Sequence, residues 1–120
     1  MPKHERTKKT AITKDVKRQV FERDRGRCLM CHKPVREADA CAHIIPRSQG
    51  GMGVMKNIIT LCPDCHRKYD TSPNRQLMSW EFAKYIEEIH GPIHKSEVVY
   101  DKWGDIFGDK QQAEGQARRT

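Results

Sequence analysis

Two cysteine pairs at CxxC spacing, Cys28/Cys31 and Cys62/Cys65, bracket His43 and Asn57, and the second pair runs straight into His66, with Asp70 four residues on. In a CxxC turn two sulfurs can converge on one ion, and four thiolates satisfy the zinc tetrahedron without an open position. Cys28, Cys31, Cys62 and Cys65 therefore predict one structural zinc. His43, Asn57 and His66, held between and beside the thiols, suggest a second site, suited to cutting phosphodiesters. On a helix His66 and Asp70 would project from one face. Such a pair can hold a divalent cation through one imidazole and one carboxylate.

These residues need elements to position them. Thr13 is a helix N-cap with Asp15 in the first turn, which predicts a helix over about 14–24, ended by Arg25-Gly26. Residues 40–45 predict a strand that Pro46 ends. Residues 46–56, with Gly50, Gly51 and Gly53, predict a loop, and Ile58 to Leu61 a second strand. Pro63 suits the first turn of a following helix, where its missing N–H costs nothing. That helix carries Cys65, His66 and Asp70. After the breaker Thr71-Ser72-Pro73-Asn74, residues 75–90 predict a helix with Leu77, Met78, Phe82, Tyr85, Ile86 and Ile89 near one face. Gly91-Pro92 stops it, and a short helix or turn follows around Ser96 to Trp103. Trp80 and Trp103 read as small-core packing, and Cys41 as a small buried residue on the first strand. His32 reads as a turn residue, and His4, His90 and His94 as solvent-exposed.

Composition sets bounds. The chain of 120 residues fits one domain, and 36% hydrophobic against 32% charged residues predicts a modest core. No run of about 18 apolar residues predicts a membrane span. The basic start Met-Pro-Lys-His-Glu-Arg does not resemble a secretory signal, so the expected compartment is cytoplasmic. Thiols stay reduced there, and the odd count of five cysteines fits four ligands plus a free Cys41. The net charge of +7 is uneven: +6 over residues 1–27, +2 over 28–70 and −1 over 71–120. A basic arm over residues 1–12 beside a compact centre suits a polyanion such as DNA. Residues 108–120 are polar and aperiodic, and read as a disordered tail.

The stretch Ala42-His43-Ile44-Ile45-Pro46-Arg47-Ser48-Gln49-Gly50-Gly51, followed by Asn57-Ile58-Ile59-Thr60-Leu61-Cys62-Pro63-Asp64-Cys65-His66, resembles the HNH endonucleases, in the zinc-stapled branch common in bacteria and their phages. The resemblance covers residues 14–70. It implies a small α+β fold: a ββα-metal hairpin and helix stapled by a four-cysteine zinc, with flanking N- and C-terminal helices. The implied domain spans 13–107, with a core at 28–70 and a helical extension at 75–103.

The same resemblance implies a metal-dependent DNA endonuclease. His43 is then the general base, Asn57 fixes the long loop, and His66 is a ligand of the catalytic metal. Asp70 stands where some members have a further His ligand. Mg²⁺ or Mn²⁺ is the expected catalytic ion, with Ni²⁺ a further candidate, since imidazole suits the later metals. Arg47, Arg67 and Lys68 are close enough in sequence to clamp neighbouring phosphates. Many members carry Asp or His immediately before the base, and this chain has Ala42, so Ala42→Asp is expected to tighten metal binding. Ala42 keeps a second reading open: a non-catalytic, zinc-stapled nucleic-acid-binding module, or an accessory subunit of a phage packaging or DNA-processing machine.

Overall fold

A computed structural model of the chain describes residues 9–100. Helix α1 spans Lys14–Arg23. Its N-cap Thr13 accepts a hydrogen bond from the Val16 amide at 3.2 Å, and Arg25 and Gly26 end it at positive φ of 61° and 66°. The first CxxC follows in a tight loop. The Cys28 amide donates to the Lys33 carbonyl at 3.0 Å, the His32 amide donates to the Cys28 carbonyl at 2.9 Å, and His32 turns the chain at φ 67°.

Strand β1 is Ala42–His43 and β2 is Ile58–Ile59, paired antiparallel with Ala42 opposite Ile59 and His43 opposite Ile58. Both are shorter than the spans 40–45 and 58–61 that their composition predicts. The reason lies in where the neighbouring amides donate. The Ile45 amide goes to the side chain of Asn57 at 2.9 Å, and the Thr60 amide to the carboxylate of Asp24 at 3.0 Å. Side chains take over the ladder on both sides.

Helix α2, Pro63–Thr71, starts with Pro63 in its first turn and Cys62 as its cap. Helix α3, Arg75–His90, packs on α2 and ends at Gly91, φ 83°. Helix α4, Lys95–Val98, closes over the long loop. There Met52 and Val98, then Tyr100 and Gly50, share backbone hydrogen bonds of 2.8 and 2.7 Å, and Lys56 pairs with Glu97 at 2.6 Å. Gly51 is required in this loop, because a Cβ there would lie 1.7 Å from the Ile45 carbonyl oxygen. The fold is small α+β, as expected, with a two-stranded sheet and clustered cysteines.

The core joins Ala42, Ile44, Ile59, Leu61, Tyr69, Phe82 and Ile86 to Cys28, Cys62 and Cys65. Tyr69 and Phe82 meet edge to face at 5.2 Å. A buried ion pair ties α1 to the hairpin and α3. Arg23 Nε donates to Asp24 at 2.8 Å, and both side chains are nearly free of solvent. Arg23 also donates to the carbonyls of Met55 and Ile58, each at 2.7 Å, and Tyr85 donates to Asp24 at 2.6 Å.

Several expectations need correction. Residues 9–12 do not behave as a loose arm: Thr10 is buried, and the Lys9 carbonyl accepts from the Gly53 amide at 3.2 Å. The α3 stripe does not pack as one face, since Leu77 and Ile89 are 58% and 48% exposed, and Trp80, expected in the core, is 61% exposed. His90 is half-buried rather than exposed, and Cys41 is half-buried just before β1. The rest of the basic arm, His4, Trp103, the end of the helical extension and the 108–120 tail lie outside the described residues. Among the described residues no helix is long and apolar enough to cross a membrane.

Candidate active site

The two CxxC turns bring four sulfurs together. All lie within 4.8 Å of one another, and Cys31 and Cys62 Sγ are 3.8 Å apart. Zn–S bonds of about 2.3 Å in a tetrahedron put sulfurs about 3.8 Å apart, so the donor set fits zinc. Backbone amides aim at the sulfurs: Met30 and Cys31 donate to Cys28 at 3.4 and 3.5 Å, and Cys65 donates to Cys62 at 3.4 Å. Burial raises the Cys28 thiol, but the amides of Cys31, Cys62 and Met30 outweigh it and lower the pKa to about 7. Cys65 is pushed up to about 12 by burial and by its thiol neighbours. Four close sulfurs cannot all ionise without a cation among them. Cys41 stands apart from this cluster, and burial raises its thiol too.

The second site is a cleft of about 430 Å³ lined by His43, Pro46, Arg47, Ser48, His66, Asp70 and Arg75. His43 reaches it from β1, and His66 and Asp70 from α2. The His43 Nε2 lies 3.0 Å from the Thr10 carbonyl oxygen. A carbonyl only accepts, so Nε2 carries the proton, and in the neutral ring Nδ1 keeps its lone pair. Burial is the largest influence on His43 and lowers its pKa below the ordinary 6.5; Arg47 and His66 add to this, against the Thr10 carbonyl and Asp70.

Asn57 is buried beneath the long loop. Its Oδ1 accepts from the Ile45 amide at 2.9 Å, and its Nδ2 donates to the carbonyls of Ile45 and Met52 at 3.2 and 3.0 Å. It fastens both ends of the loop that follows His43. His66 Nε2 and Asp70 Oδ2 are 3.2 Å apart, a spacing at which one ion can touch both. Among the described residues, the four cysteines are the only group of three or more such donors drawn together. The His66–Asp70 pair supplies two.

Of the three basic residues expected near phosphates, only Arg47 lines the cleft. Arg67 and Lys68 are exposed on other sides of α2, because they fall one and two residues past His66 and so about 100° and 200° round the helix. Arg67 pairs with Asp64 instead. Sequence reasoning missed Thr10 and Arg75. Arg75 donates to the carbonyls of His43 and Ile44 at 3.0 and 3.1 Å and lies 3.9 Å from Asp70. Its guanidinium stacks 4.3 Å from the Tyr69 ring centroid.

The HNH endonuclease family profile matches residues 28–72. The chain belongs to the HNH family. Anaredoxin from Nostoc sp. (strain PCC 7120 / SAG 25.82 / UTEX 2576) is 38% identical over 52 residues, which cover 43% of this chain and 67% of that protein. No solved structure matches the chain. The HNH match supports a nuclease-type or nucleic-acid-related function. It contains His43, Asn57, His66 and Asp70, whereas Thr10, which meets the His43 ring, and Arg75, which donates to the His43 carbonyl, lie beyond it.

Proposed function

We propose that this HNH protein is a metal-dependent endonuclease that hydrolyses DNA phosphodiester bonds to 5′-phosphate and 3′-hydroxyl ends. The observation that carries this reading is the His43 ring: Nε2 tied to a carbonyl, Nδ1 with its lone pair, and the ring on the wall of a cleft shared with His66 and Asp70. A neutral imidazole can take the proton of an attacking water near neutral pH. His43 is therefore the general base, and Asn57 positions it by fixing the loop beyond β1. Arg47 stands ready to hold a phosphate, and Arg75 braces the His43 backbone. His66 and Asp70 would hold the divalent cation, Mg²⁺, Mn²⁺ or Ni²⁺. When bound, such an ion stabilises charge on the scissile phosphate and the leaving 3′-oxygen. The four cysteines hold structural zinc away from this chemistry, so loss of His43 should leave the fold intact.

The deciding experiment is nicking of supercoiled plasmid with Mg²⁺, Mn²⁺ or Ni²⁺, for the parent and for His43→Ala. The expected result is cleavage by the parent and none by a folded, zinc-loaded His43→Ala. Retained nicking by that variant sinks the mechanism.

A second reading is favoured by the short donor set, two protein ligands with Ala42 where many members have a third. On that reading the protein is a non-catalytic nucleic-acid-binding module, or an accessory of a phage-type DNA-processing machine. It predicts salt-sensitive DNA binding with no nicking under any metal.

A further inference from the structure

A second cleft opens beside the catalytic one. It encloses about 460 Å³, inside the range of small-ligand sites of ~300–1,000 Å³. Pro46 and Arg75 line both clefts, so the two are neighbours along one groove. Ile44 and Ile45 give it an apolar lining, and Gln49 and Gln76, each able to offer an amide, line it as well. On its wall stands Trp80, 61% exposed.

An indole this open contributes little to the core, and it lines a groove that adjoins the cleft of His43 and Arg47. Leu77, one turn earlier on α3, is also exposed but does not line the cleft, so the groove is not simply part of an apolar helix stripe. An aromatic face, an apolar lining and amides suit a nucleobase: a π-face to stack on and donors and acceptors for its edge. Arg47 and Arg75 supply positive charge at the end where the backbone would pass.

We propose that Trp80 is a stacking platform for a base adjacent to the scissile phosphate. Inside a duplex both faces of a base are covered by its neighbours. The platform therefore selects DNA with an unpaired base at that position, either single-stranded or locally opened. This inference rests on the nuclease reading for the place of the scissile phosphate, but its test reads binding.

The experiment measures fluorescence anisotropy of labelled single-stranded and blunt duplex oligonucleotides against full-length His43→Ala, which does not consume them. Trp80→Ala and Trp80→Phe are then made in that background. The expected result is tighter binding of the single strand, weakened roughly tenfold or more by Trp80→Ala and partly restored by Trp80→Phe. An oligonucleotide carrying abasic residues should bind parent-like and Trp80→Ala proteins alike. Equal single-strand affinity with and without Trp80, or an equal loss on duplex, overturns the proposal. So does a Trp80→Ala effect confined to self-association in light scattering, which would mark a protein-docking face. If plasmid nicking fails while the Trp80 effect on single strands persists, the catalytic reading falls and the platform stands.

Discussion

The His43 ring is anchored by the backbone carbonyl of Thr10, 33 residues upstream, at 3.0 Å. Thr10 itself is buried, and its Oγ1 accepts from Arg47 Nε at 3.2 Å. The segment before α1 is thus a strap across the site that sets the tautomer and the tilt of the His43 ring, the proposed base. No side-chain substitution removes a carbonyl, but the strap can be displaced. Gly53 lies under it, where a Cβ would come within 2.1 Å of the Ala11 carbonyl oxygen. Gly53→Ala must push the strap away. A misplaced base costs about 100-fold in rate for a shift of the order of 1 Å. Gly53→Ala should therefore retain zinc and a cooperative melt yet lose about 100-fold in plasmid nicking. Undiminished nicking would show that the strap does not position the base.

Burial lowers the pKa of His43 below 6.5. The ring is thus mostly neutral at pH 6.5, and it becomes half protonated only at a lower folded value. The acid limb of nicking should therefore be centred below pH 6.5. A cation on His66 and Asp70 would push His43 the same way. In the same window the unfolded chain takes up its proton first, so stability also declines as pH drops below 6.5. An acid limb centred above 6.5 in single-turnover rates would mean that another group limits the reaction.

The helices are legible because their ends are written in side chains: Thr13 caps α1, Pro63 opens α2 and Gly91 stops α3. The strand lengths are not, because Asp24 and Asn57 divert amides that composition alone assigns to a ladder. The cysteines and the cleft residues of β1 and α2 follow from spacing. Thr10 and Arg75 do not, since both act on His43 through backbone carbonyls, which leave no mark on residue type. Trp80 misleads because an apolar residue on a helix suggests the core. It is two residues from the buried Phe82, about 200° round α3, and so faces the other way.

Removing zinc should unfold the protein. Structural zinc contributes about 10–16 kcal/mol in peptide systems, against a total domain stability of about 5–15 kcal/mol. Three of the four ligands, Cys28, Cys62 and Cys65, also lie within the core, so their release opens it. Cys65→Ser or exhaustive chelation is expected to abolish the cooperative thermal transition and the near-UV circular dichroism. A metal-free chain that still melts cooperatively would assign the fold to packing instead.

The Arg23–Asp24 pair should be the second point of fragility. Breaking a buried ion pair from one side costs about 3–5 kcal/mol, because the other charge stays behind unpaired. Asp24→Ala strands Arg23, orphans the Thr60 amide and leaves the Tyr85 hydroxyl only the Arg23 carbonyl at 3.4 Å. Tyr85→Phe removes one hydrogen bond to a charged group, worth about 1.5–3 kcal/mol. Urea melts should rank the two variants in that order, both with zinc bound. Equal stability of Asp24→Ala and the parent would refute the network's role.

Ala42 tests how the reactive site relates to the core. Its neighbour His43 faces the cleft, and Ala42, pointing to the other face of β1, is fully buried among core residues and does not line the cleft. An aspartate there starts desolvated, which costs stability unless a cation or a proton meets it. The gain in metal affinity expected from Ala42→Asp should therefore come with a loss of stability in metal-free buffer. Added Mn²⁺ should raise the melting temperature of Ala42→Asp by more than it raises that of the parent. An equal or smaller rise would show that residue 42 cannot reach the ion held by His66 and Asp70, and that its side chain serves packing alone.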